Sequence, residues 1–340
     1  MAYTTIDDPE AYFQTVTWTG NGTDGRTITL PGSTNMQPDL IWVKNRTDSE
    51  DHCLMDSART FASGKAMRTN GSDEEGGVGT AARGWVEAAS DGFTCEDGSS
   101  SANLVNASSD TYVAWCWKES ATSGFDIVTY TGTGSSHNEN HSLSALPDMI
   151  IVKRRDSSSD WFVYHRQGTG VGYGIKLNSN IAKTGSWNWD ANSTTSTFQI
   201  NGGAATPVNE SSATYVTYLF APKQGFSKFG TYEGNGNADG TFIYTGFRPA
   251  LIFTKEIDAT SSWMVFDNKR DGFNEDNPKL GWQDNGGDSG AASDLIDILS
   301  NGFKIRSTSS EVGTSGSTYC YGAWAEAPFV NSNGVPCNAR

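Results

Sequence analysis

Short runs of apolar, β-branched and aromatic residues recur along the chain, separated by stretches rich in Gly, Ser, Thr and Asn. Residues 40–43 form an unbroken apolar run after a proline, which is typical of a strand covered on both faces. Residues 161–164 and 263–266 are similar runs, and residues 112–117 mix aromatic and β-branched side chains. The pattern predicts many short β-strands joined by polar turns, with a helical turn expected only at residues 294–299.

The same phrases recur in the same order at a spacing of roughly 100 residues, which indicates internal duplication. Each copy has an aromatic strand ending in glycine, a proline followed by an apolar run and a lysine, a phenylalanine, and a closing Thr-Tyr strand. The glycine phrases occupy residues 16–20, 128–132 and 230–234, the proline phrases 38–44, 147–153 and 249–255, the phenylalanines 93, 198 and 303, and the closing strands 111–115, 214–218 and 318–322. These matches predict three copies of one β-rich unit.

We therefore predict an all-β fold of three tandem β-sandwich or jelly-roll repeats, each of about 100 residues. The repeats are residues 11–121 (unit 1), 122–224 (unit 2) and 225–330 (unit 3), between an N-terminal arm at 1–10 and a C-terminal tail at 331–340. The linkers are short, so the units are expected to pack on one another rather than swing freely. The arm is expected to become ordered only against a partner.

Composition narrows the classes of function. The 340 residues carry a net charge of −15 with a pI near 4.6, and so acidic a surface repels nucleic-acid phosphates and anionic lipid headgroups. Residues 1–10 lack the basic start and apolar core of a signal peptide, and no run reaches the roughly 18 apolar residues of a membrane span. We expect a protein that is made in the cytoplasm, binds no nucleic acid and inserts into no membrane.

The chain has five cysteines, Cys53, Cys95, Cys116, Cys320 and Cys337. Their odd number and the lack of a C-x-x-C spacing disfavour both a disulfide framework and a zinc site. The sequence predicts small buried thiols instead.

Several phrases of the chain resemble a family of repeats in tail-fibre and other virion proteins of tailed bacteriophages, particularly marine ones. The matching residues are 8–13, 38–46, 111–117, 301–306, 325–330 and 334–340. The resemblance covers almost the whole chain. It implies a concanavalin-like β-sandwich, a place in the virion, and a role in host-surface attachment or capsid decoration.

Signals for catalysis are weak. Residues 20–25 match G-x-G-x-x-G, but a nucleotide site needs a helix start next and a strand is predicted there, so we interpret the motif as a glycine-rich hairpin turn. The chain has four histidines and no G-x-S-x-G elbow that would present a nucleophile. His165 aligns with Asp56 and Asp267 of the sister units and is expected at an exposed strand end. We expect a protein that is not an enzyme.

A tryptophan-bearing insertion precedes the matched phenylalanine of each unit. Trp beside Asn and Asp suits sugars, because the ring stacks on the C–H face while amide and carboxylate groups bind the hydroxyls. The candidate glycan ligands are Trp187, Trp189, Asp190, Asn192 and Trp282, and the middle loop is the best candidate. In the alternative interpretation, these rings cap the sandwich core or lie at a subunit contact.

An oxygen-rich loop follows a strand of unit 3. Its candidate calcium ligands are Asp267, Asp271, Asn274 and Asp276, because calcium binds several carboxylate and amide oxygens on a flexible loop. The spacing fits no EF-hand, and the alternative is a solvated acidic loop. Calcium is the one cofactor that the sequence leaves open.

Lys44, Lys153 and Lys255 end the apolar run of each unit. A lysine at the end of a buried strand extends its ammonium group towards solvent or pairs with a carboxylate, here Asp56 or Asp267 in the next strand.

Three functions remain open. The favoured one is a virion structural protein, a tail-fibre or adhesin subunit whose partners are other virion proteins and a glycan or protein on the host surface. The second is a capsid decoration or other assembly protein without a receptor role, and the least favoured is a polysaccharide hydrolase with paired carboxylates. Fibre proteins are commonly trimers, so we expect a homo-oligomer, although three units in one chain also allow a monomer with internal pseudo-threefold symmetry.

Overall fold

The computed structural model shows an all-β sandwich protein, as the sequence predicts. It describes residues 3–77, 83–96, 104–185, 192–202, 207–270, 274, 278–288 and 294–337. The regular structure of these ranges is β-strand, apart from 3₁₀ turns at Pro9–Ala11 and Ser57–Arg59. No helix within them is long and apolar enough to cross a membrane.

The strands are described in three groups by their sheet pairing, for which the names unit 1, unit 2 and unit 3 are kept. Unit 1 contains β1 (Phe13–Thr19), β2 (Arg26–Thr29), β3 (Leu40–Asn45), β4 (Cys53–Asp56), β5 (Trp85–Ala89), β6 (Gly92–Glu96) and β7 (Thr111–Trp117). Unit 2 contains β8 (Phe125–Thr131), β9 (His137–Asn140), β10 (Met149–Arg154), β11 (Trp161–His165), β12 (Tyr173–Lys176), β13 (Thr184–Gly185), β14 (Thr197–Ile200) and β15 (Thr214–Phe220). Unit 3 contains β16 (Ser227–Glu233), β17 (Phe242–Tyr244), β18 (Phe247–Glu256), β19 (Trp263–Asp267), β20 (Leu280–Gly281), β21 (Ile296–Leu299), β22 (Gly302–Ile305) and β23 (Thr318–Pro328).

Each unit has a large and a small antiparallel sheet. The large sheets have the matching orders β1-β7-β3-β4, β8-β15-β10-β11 and β16-β23-β18-β19, to which unit 2 adds β12-β13 and unit 3 adds β20. The small sheets are β2-β6-β5, β9-β14 and β17-β22-β21. In units 1 and 2, side chains from both sheets fill one core, which is the arrangement of a β-sandwich.

The large sheets are buried on both faces. Along β3, Ile41 and Val43 face the small sheet of unit 1, whereas Leu40 and Trp42 pack into a core shared by all three units. Successive side chains of a strand point to opposite faces, so a strand between two cores requires an unbroken apolar run. The run at residues 40–43 therefore has the pattern that its position demands.

The shared core is centred on one ring from the closing strand of each unit. Trp117, Phe220 and Trp324 occupy matched positions of β7, β15 and β23, and we call them the central triad. The ring centroid of Trp324 lies 5.4 Å from that of Trp117 and 5.4 Å from that of Phe220. Trp117 and Phe220 are 6.2 Å apart, and all three pairs meet edge to face. The triad marks a pseudo-threefold axis.

Hydrogen bonds join the units around this axis in one direction. Each matched lysine donates to a backbone carbonyl of a neighbouring unit: Lys44 to Asn285, Lys153 to Ser72 and Lys255 to Asn180, at 3.1, 3.3 and 3.4 Å. All three lysines are buried, and burial lowers the pKa of each to about 8. The predicted pairing with Asp56 or Asp267 is wrong, because Arg59 and Arg270 hold those carboxylates.

A second set of bonds runs in the same direction. The ring N–H groups at one matched position donate to carbonyls of the neighbouring unit: Trp161 to Arg68, Trp263 to Lys176 and His52 to Gly281, at 3.0, 2.9 and 3.1 Å. Unit 1 thus binds unit 3, unit 2 binds unit 1, and unit 3 binds unit 2. The units form a closed ring.

The glycine-rich stretch at residues 20–25 is not a hairpin turn, although a strand follows it as predicted. β1 and β2 lie in different sheets, so the stretch carries the chain from the large sheet to the small one. Gly20 is required by a close approach, because a Cβ there would lie 1.9 Å from the Ala107 carbonyl oxygen. Gly132 and Gly234 occupy the matched places, each with 2.2 Å to the facing carbonyl oxygen.

The helical turn expected at residues 294–299 is also a wrong prediction. Residues Ile296–Leu299 form β21, in which Ile296 and Ile298 point into the core and pair with β22. Their alternation has the period of a strand.

Residues 3–10 of the N-terminal arm pack against their own chain rather than a partner. The Thr4 hydroxyl donates to the Gln224 carbonyl at 2.8 Å, and Ile6 is buried in the shared core. The carboxylate of Asp7 accepts a hydrogen bond from the Ser332 amide at 2.7 Å. The arm therefore ties the end of unit 2 to the C-terminal tail.

Four of the five cysteines are small buried thiols, as predicted. Cys53, Cys95, Cys116 and Cys320 are fully buried, whereas Cys337 is exposed. Burial raises the pKa of Cys53 and of Cys320 to about 12.

Candidate functional site

The structure removes Trp282 from the predicted glycan site. Trp282 is only 1% exposed, and its ring stacks on Trp42 of unit 1 with centroids 4.5 Å apart and planes at 23°. A buried ring has no free face for a sugar, so the prediction for Trp282 is wrong and the alternative of a core contact applies. Asn192 is exposed, and its side-chain amide donates to Oε1 of Gln199 at 2.9 Å. Trp187, Trp189 and Asp190 lie outside the described residues.

The described members of the predicted calcium site have other roles. The Asp267 carboxylate accepts bonds from Arg270 Nε at 2.7 Å and from Trp115 Nε1 of unit 1 at 3.0 Å. Burial raises the pKa of Asp267, but Arg270 and the nearby amides outweigh burial and lower it overall. The Asn274 amide holds the backbone N–H and carbonyl of Ile298. The predictions of Asp267 and Asn274 as calcium ligands are wrong, because the side-chain oxygens of both residues already accept hydrogen bonds within the protein.

Asp271 and Asp276, the other two predicted calcium ligands, lie outside the described residues. Among the residues that the structure does describe, no three His, Cys, Asp or Glu side chains gather as a metal site.

His165 is buried, and the expectation of an exposed strand end is wrong. Its Nδ1 accepts the Gly168 N–H at 3.1 Å, which leaves the proton on Nε2 to donate to the Tyr321 carbonyl of unit 3 at 3.0 Å. Burial lowers the pKa of His165 to about 4. Histidine at this position joins units 2 and 3, just as Asp267 joins units 3 and 1 through Trp115.

A pair of carboxylates lies at the junction of units 1 and 2. Burial, and to a smaller extent a hydrogen bond with Asp126, raises the pKa of Glu119 to about 8. Both residues make further bonds: the backbone N–H of Glu119 donates to the Asp39 carboxylate at 2.8 Å, and the Asp126 carboxylate accepts the backbone N–H of Ser142. These bonds give the pair a structural role at the junction.

An exposed aromatic surface lies on the small sheet of unit 3. Phe242 and Tyr244 are 45% and 46% exposed, whereas Ile243 between them is buried. Because side chains alternate along β17 and Ile243 points inward, both rings stand on the outer face, and β17 is also the edge strand of its sheet. Tyr3 of the arm lies beside them, with its hydroxyl 3.2 Å from that of Tyr244. We call Tyr3, Phe242 and Tyr244 the aromatic edge.

Polar groups hold the aromatic edge in place. The Tyr3 hydroxyl donates to the Gly246 carbonyl at 2.8 Å. The Lys228 ammonium donates to the Tyr244 carbonyl at 2.6 Å and lies 5.5 Å from the centroid of the Tyr244 ring, within cation–π range. Burial lowers the pKa of Lys228. Lys304 stands opposite Phe242 in the β17–β22 pairing and bridges to Asp239.

The aromatic edge was missed by the sequence reasoning, although the repeats carried a signal for it. The matched outer positions are Thr27 and Thr29 on β2 of unit 1 and Asn138 and Asn140 on β9 of unit 2, all of them exposed. When β2, β9 and β17 are aligned, units 1 and 2 have small polar side chains at these two positions and unit 3 has two aromatic rings. The strand Phe242–Tyr244 on its own resembles an ordinary buried strand.

Among the comparisons with known proteins, a match to one protein family was found. No curated protein and no solved structure matches the chain. The family model of a domain of unknown function, DUF7483, matches residues 8–328, which include units 1 and 2 and all but the last two residues of unit 3. The chain therefore belongs to the DUF7483 family.

Proposed function

We propose that the chain is a structural protein of a tailed-bacteriophage virion, a tail-fibre or adhesin subunit that contacts a glycan or protein on the host surface. It acts by binding and not by catalysis, and its other partners are virion proteins. The observation that carries the proposal is the aromatic edge, an exposed pair of rings fixed on a closed ring of sandwiches. Further support comes from the resemblance of the repeated phrases to virion repeats.

The physical argument concerns preorganisation. The rings of Phe242 and Tyr244 are mounted on a strand, and Lys228 and Tyr3 fix their surroundings before any ligand arrives. A rigid site loses little conformational entropy on binding, so even a small contact can contribute to adhesion. If the chain assembles into a trimer, as fibre proteins commonly do, weak sites combine into avidity.

A capsid decoration or assembly protein is the second candidate. β17 is an edge strand, and an exposed aromatic edge strand also suits contact with a neighbouring virion protein. In that case the rings of Phe242 and Tyr244 would be buried in the assembled particle.

The location of the chain in the particle separates the two candidates. Mass spectrometry of purified particles should detect the chain, and an electron cryomicroscopy map should place the ring of three sandwiches in a tail fibre with the aromatic edge facing outward. Density on the capsid, with the edge buried against a neighbour, would favour decoration. Absence of the chain from the particles would refute both candidates.

Adhesion itself is tested by competition. Purified chain, added in excess, should slow adsorption of the particles to permissive cells, while heat-unfolded chain should not. Unchanged adsorption at saturating concentrations would contradict a role at the host surface.

A further inference from the structure

We propose that the aromatic edge, together with Lys228 and Lys304, is a binding site for an acidic glycan, a chain of sugars that carries carboxylate or phosphate groups. This inference rests on the proposed host-surface function and names the site and the ligand class for it.

The two rings supply the surface for sugar stacking. Phe242 and Tyr244 are two residues apart on one strand, so their side chains leave the same face with a separation of about 7 Å. This spacing lets neighbouring sugar units of one glycan rest their C–H faces on successive rings. The hydroxyl of Tyr244 lies against that of Tyr3, which adds hydrogen-bonding groups at the border of the rings.

The cations determine the charge of the ligand. Lys228 has no carboxylate partner in the part of the chain that the structure describes, and its ammonium gives one hydrogen bond to the Tyr244 carbonyl. An ammonium has three N–H donors, so donors remain for a ligand. Lys304 is on the facing strand, where Asp239, which is 76% exposed, is its partner.

The chain as a whole has a net charge of −15 and repels anions. A lysine beside each exposed ring, Lys228 at Tyr244 and Lys304 at Phe242, therefore favours an anionic ligand locally, because a charge-assisted hydrogen bond to a carboxylate or phosphate is stronger than one to a neutral hydroxyl. Neutral sugars would use the rings but gain nothing from the cations.

The sister units show that the sandwich does not need these residues. Unit 1 has small or neutral residues in their places: Thr27 for Phe242, Thr29 for Tyr244, Thr94 for Lys304 and Gln14 for Lys228. The same strand order forms with either set. Substituting the unit 1 residues into unit 3 therefore changes the surface and spares the fold.

The experiment is calorimetric titration of the full chain at low salt with two β-1,4-linked probes, hexamannuronate and mannohexaose, which differ in the carboxylate on each sugar. The wild type should bind hexamannuronate about 10-fold more tightly than mannohexaose. The variant Phe242→Thr/Tyr244→Thr should lose about 10-fold or more in affinity for hexamannuronate. The variant Lys228→Gln/Lys304→Thr should bind both probes with similar weak affinity, because it keeps the rings and loses the charge.

The matched control is Asn138→Thr/Asn140→Thr, which changes the same outer positions in unit 2 and should bind like the wild type. An unchanged unfolding midpoint of each variant shows that the fold is intact. Equal binding by the wild type and the ring variant would overturn the inference. The absence of binding to hexamannuronate and to sialylated and phosphorylated oligosaccharides would also overturn it. So would conversion of an oligomer into a monomer by the ring variant, because the aromatic edge would then be a contact between copies of the chain.

Competition for adsorption separates this inference from the proposed function. If the wild type and the Phe242→Thr/Tyr244→Thr variant slow particle adsorption equally, the chain acts at the host surface but the aromatic edge is not its binding site. If neither protein slows adsorption, the proposed host-surface function is wrong.

Discussion

The last residue of β4, β11 and β19 shows how one position serves the whole ring. Asp56 accepts the Tyr218 hydroxyl of unit 2 at 2.6 Å, and Asp267 accepts the Trp115 indole N–H of unit 1 at 3.0 Å. His165 makes the corresponding bond as a donor, to a carbonyl of unit 3. Each of the three thus bonds to the closing strand of another unit. Asp56 and Asp267 are acceptors, whereas His165 is the donor. Because the Nδ1 atom of the His165 ring can take up a proton, this junction is sensitive to acid.

Acid should destabilise the protein through His165 and His52. Burial lowers their pKa values to about 4 and about 3, below the ordinary value of 6.5, and each Nδ1 already accepts a hydrogen bond. The unfolded chain takes up protons first, so the unfolding free energy begins to fall as the pH drops through 6.5. The loss is complete below about pH 4 for His165 and below about pH 3 for His52. At pH 5 each histidine should cost about 2 kcal/mol of unfolding free energy. Urea unfolding at pH 7.5 and pH 5 measures the loss.

The variant His165→Gln keeps a side-chain donor without the titration, so it should lose less stability between pH 7.5 and pH 5 than the wild type does. Asn138→Gln is the control, because it places the same amide at an exposed position without removing a titratable group and should leave the pH dependence unchanged. An identical pH dependence in the wild type and His165→Gln would show that His165 is not a buried neutral donor.

At this scale the sequence did not predict placement. Trp282 and Asp267 were predicted as ligand-binding residues and His165 was expected at an exposed strand end, yet all three are buried between units. Which residues line a junction depends on how whole units pack, and a one-dimensional pattern does not contain that arrangement. The aromatic edge became recognisable only when matched strands were placed side by side.

The strands themselves were predicted well where both faces of a strand are apolar. The runs that begin at Leu40 and Met149 lie between two cores, and the run that begins at Leu251 is buried on both faces, so burial alone determines their pattern. Connections were predicted less well. The stretch at residues 20–25 passes between sheets, and nothing local to it distinguishes that path from a hairpin. At β21 the period-2 signal is only four residues long and was mistaken for a helical turn.

The closing strands β7, β15 and β23 are anchored by a buried tyrosine near their start. The Tyr215 hydroxyl accepts the Glu210 N–H at 3.0 Å, and its ring stacks on Tyr130 with centroids 4.9 Å apart. Tyr112 and Tyr319 make matching bonds to the Ala107 and Thr314 N–H groups. This bond ties the loop before the strand to the strand itself.

Replacing Tyr215 by phenylalanine should keep the stack and leave the Glu210 N–H without its partner. We expect a loss of about 1–3 kcal/mol in unfolding free energy, since an unsatisfied donor costs its desolvation. The control is Tyr173→Phe, at a position that is 49% exposed and should change little. Equal losses for the two variants, measured by denaturant unfolding, would show that the Tyr215 bond contributes nothing specific.

At the scale of the molecule, three sandwiches in one chain form a cyclic arrangement of the kind seen in symmetric trimers. The central triad occupies the axis, and two sets of cross-unit bonds surround it. Because each large sheet contributes one face to the shared core, a unit removed from the ring would expose an aromatic surface. The ring should therefore fold and unfold as one body, and its rigidity is what holds the aromatic edge in a fixed geometry.

Differential scanning calorimetry of the full chain tests this claim most directly. A closed ring with a shared core predicts one unfolding transition, with a calorimetric enthalpy equal to the van't Hoff enthalpy. Three resolved transitions, or a calorimetric enthalpy several times the van't Hoff value, would mean that the units unfold independently and that the ring is not the folding unit.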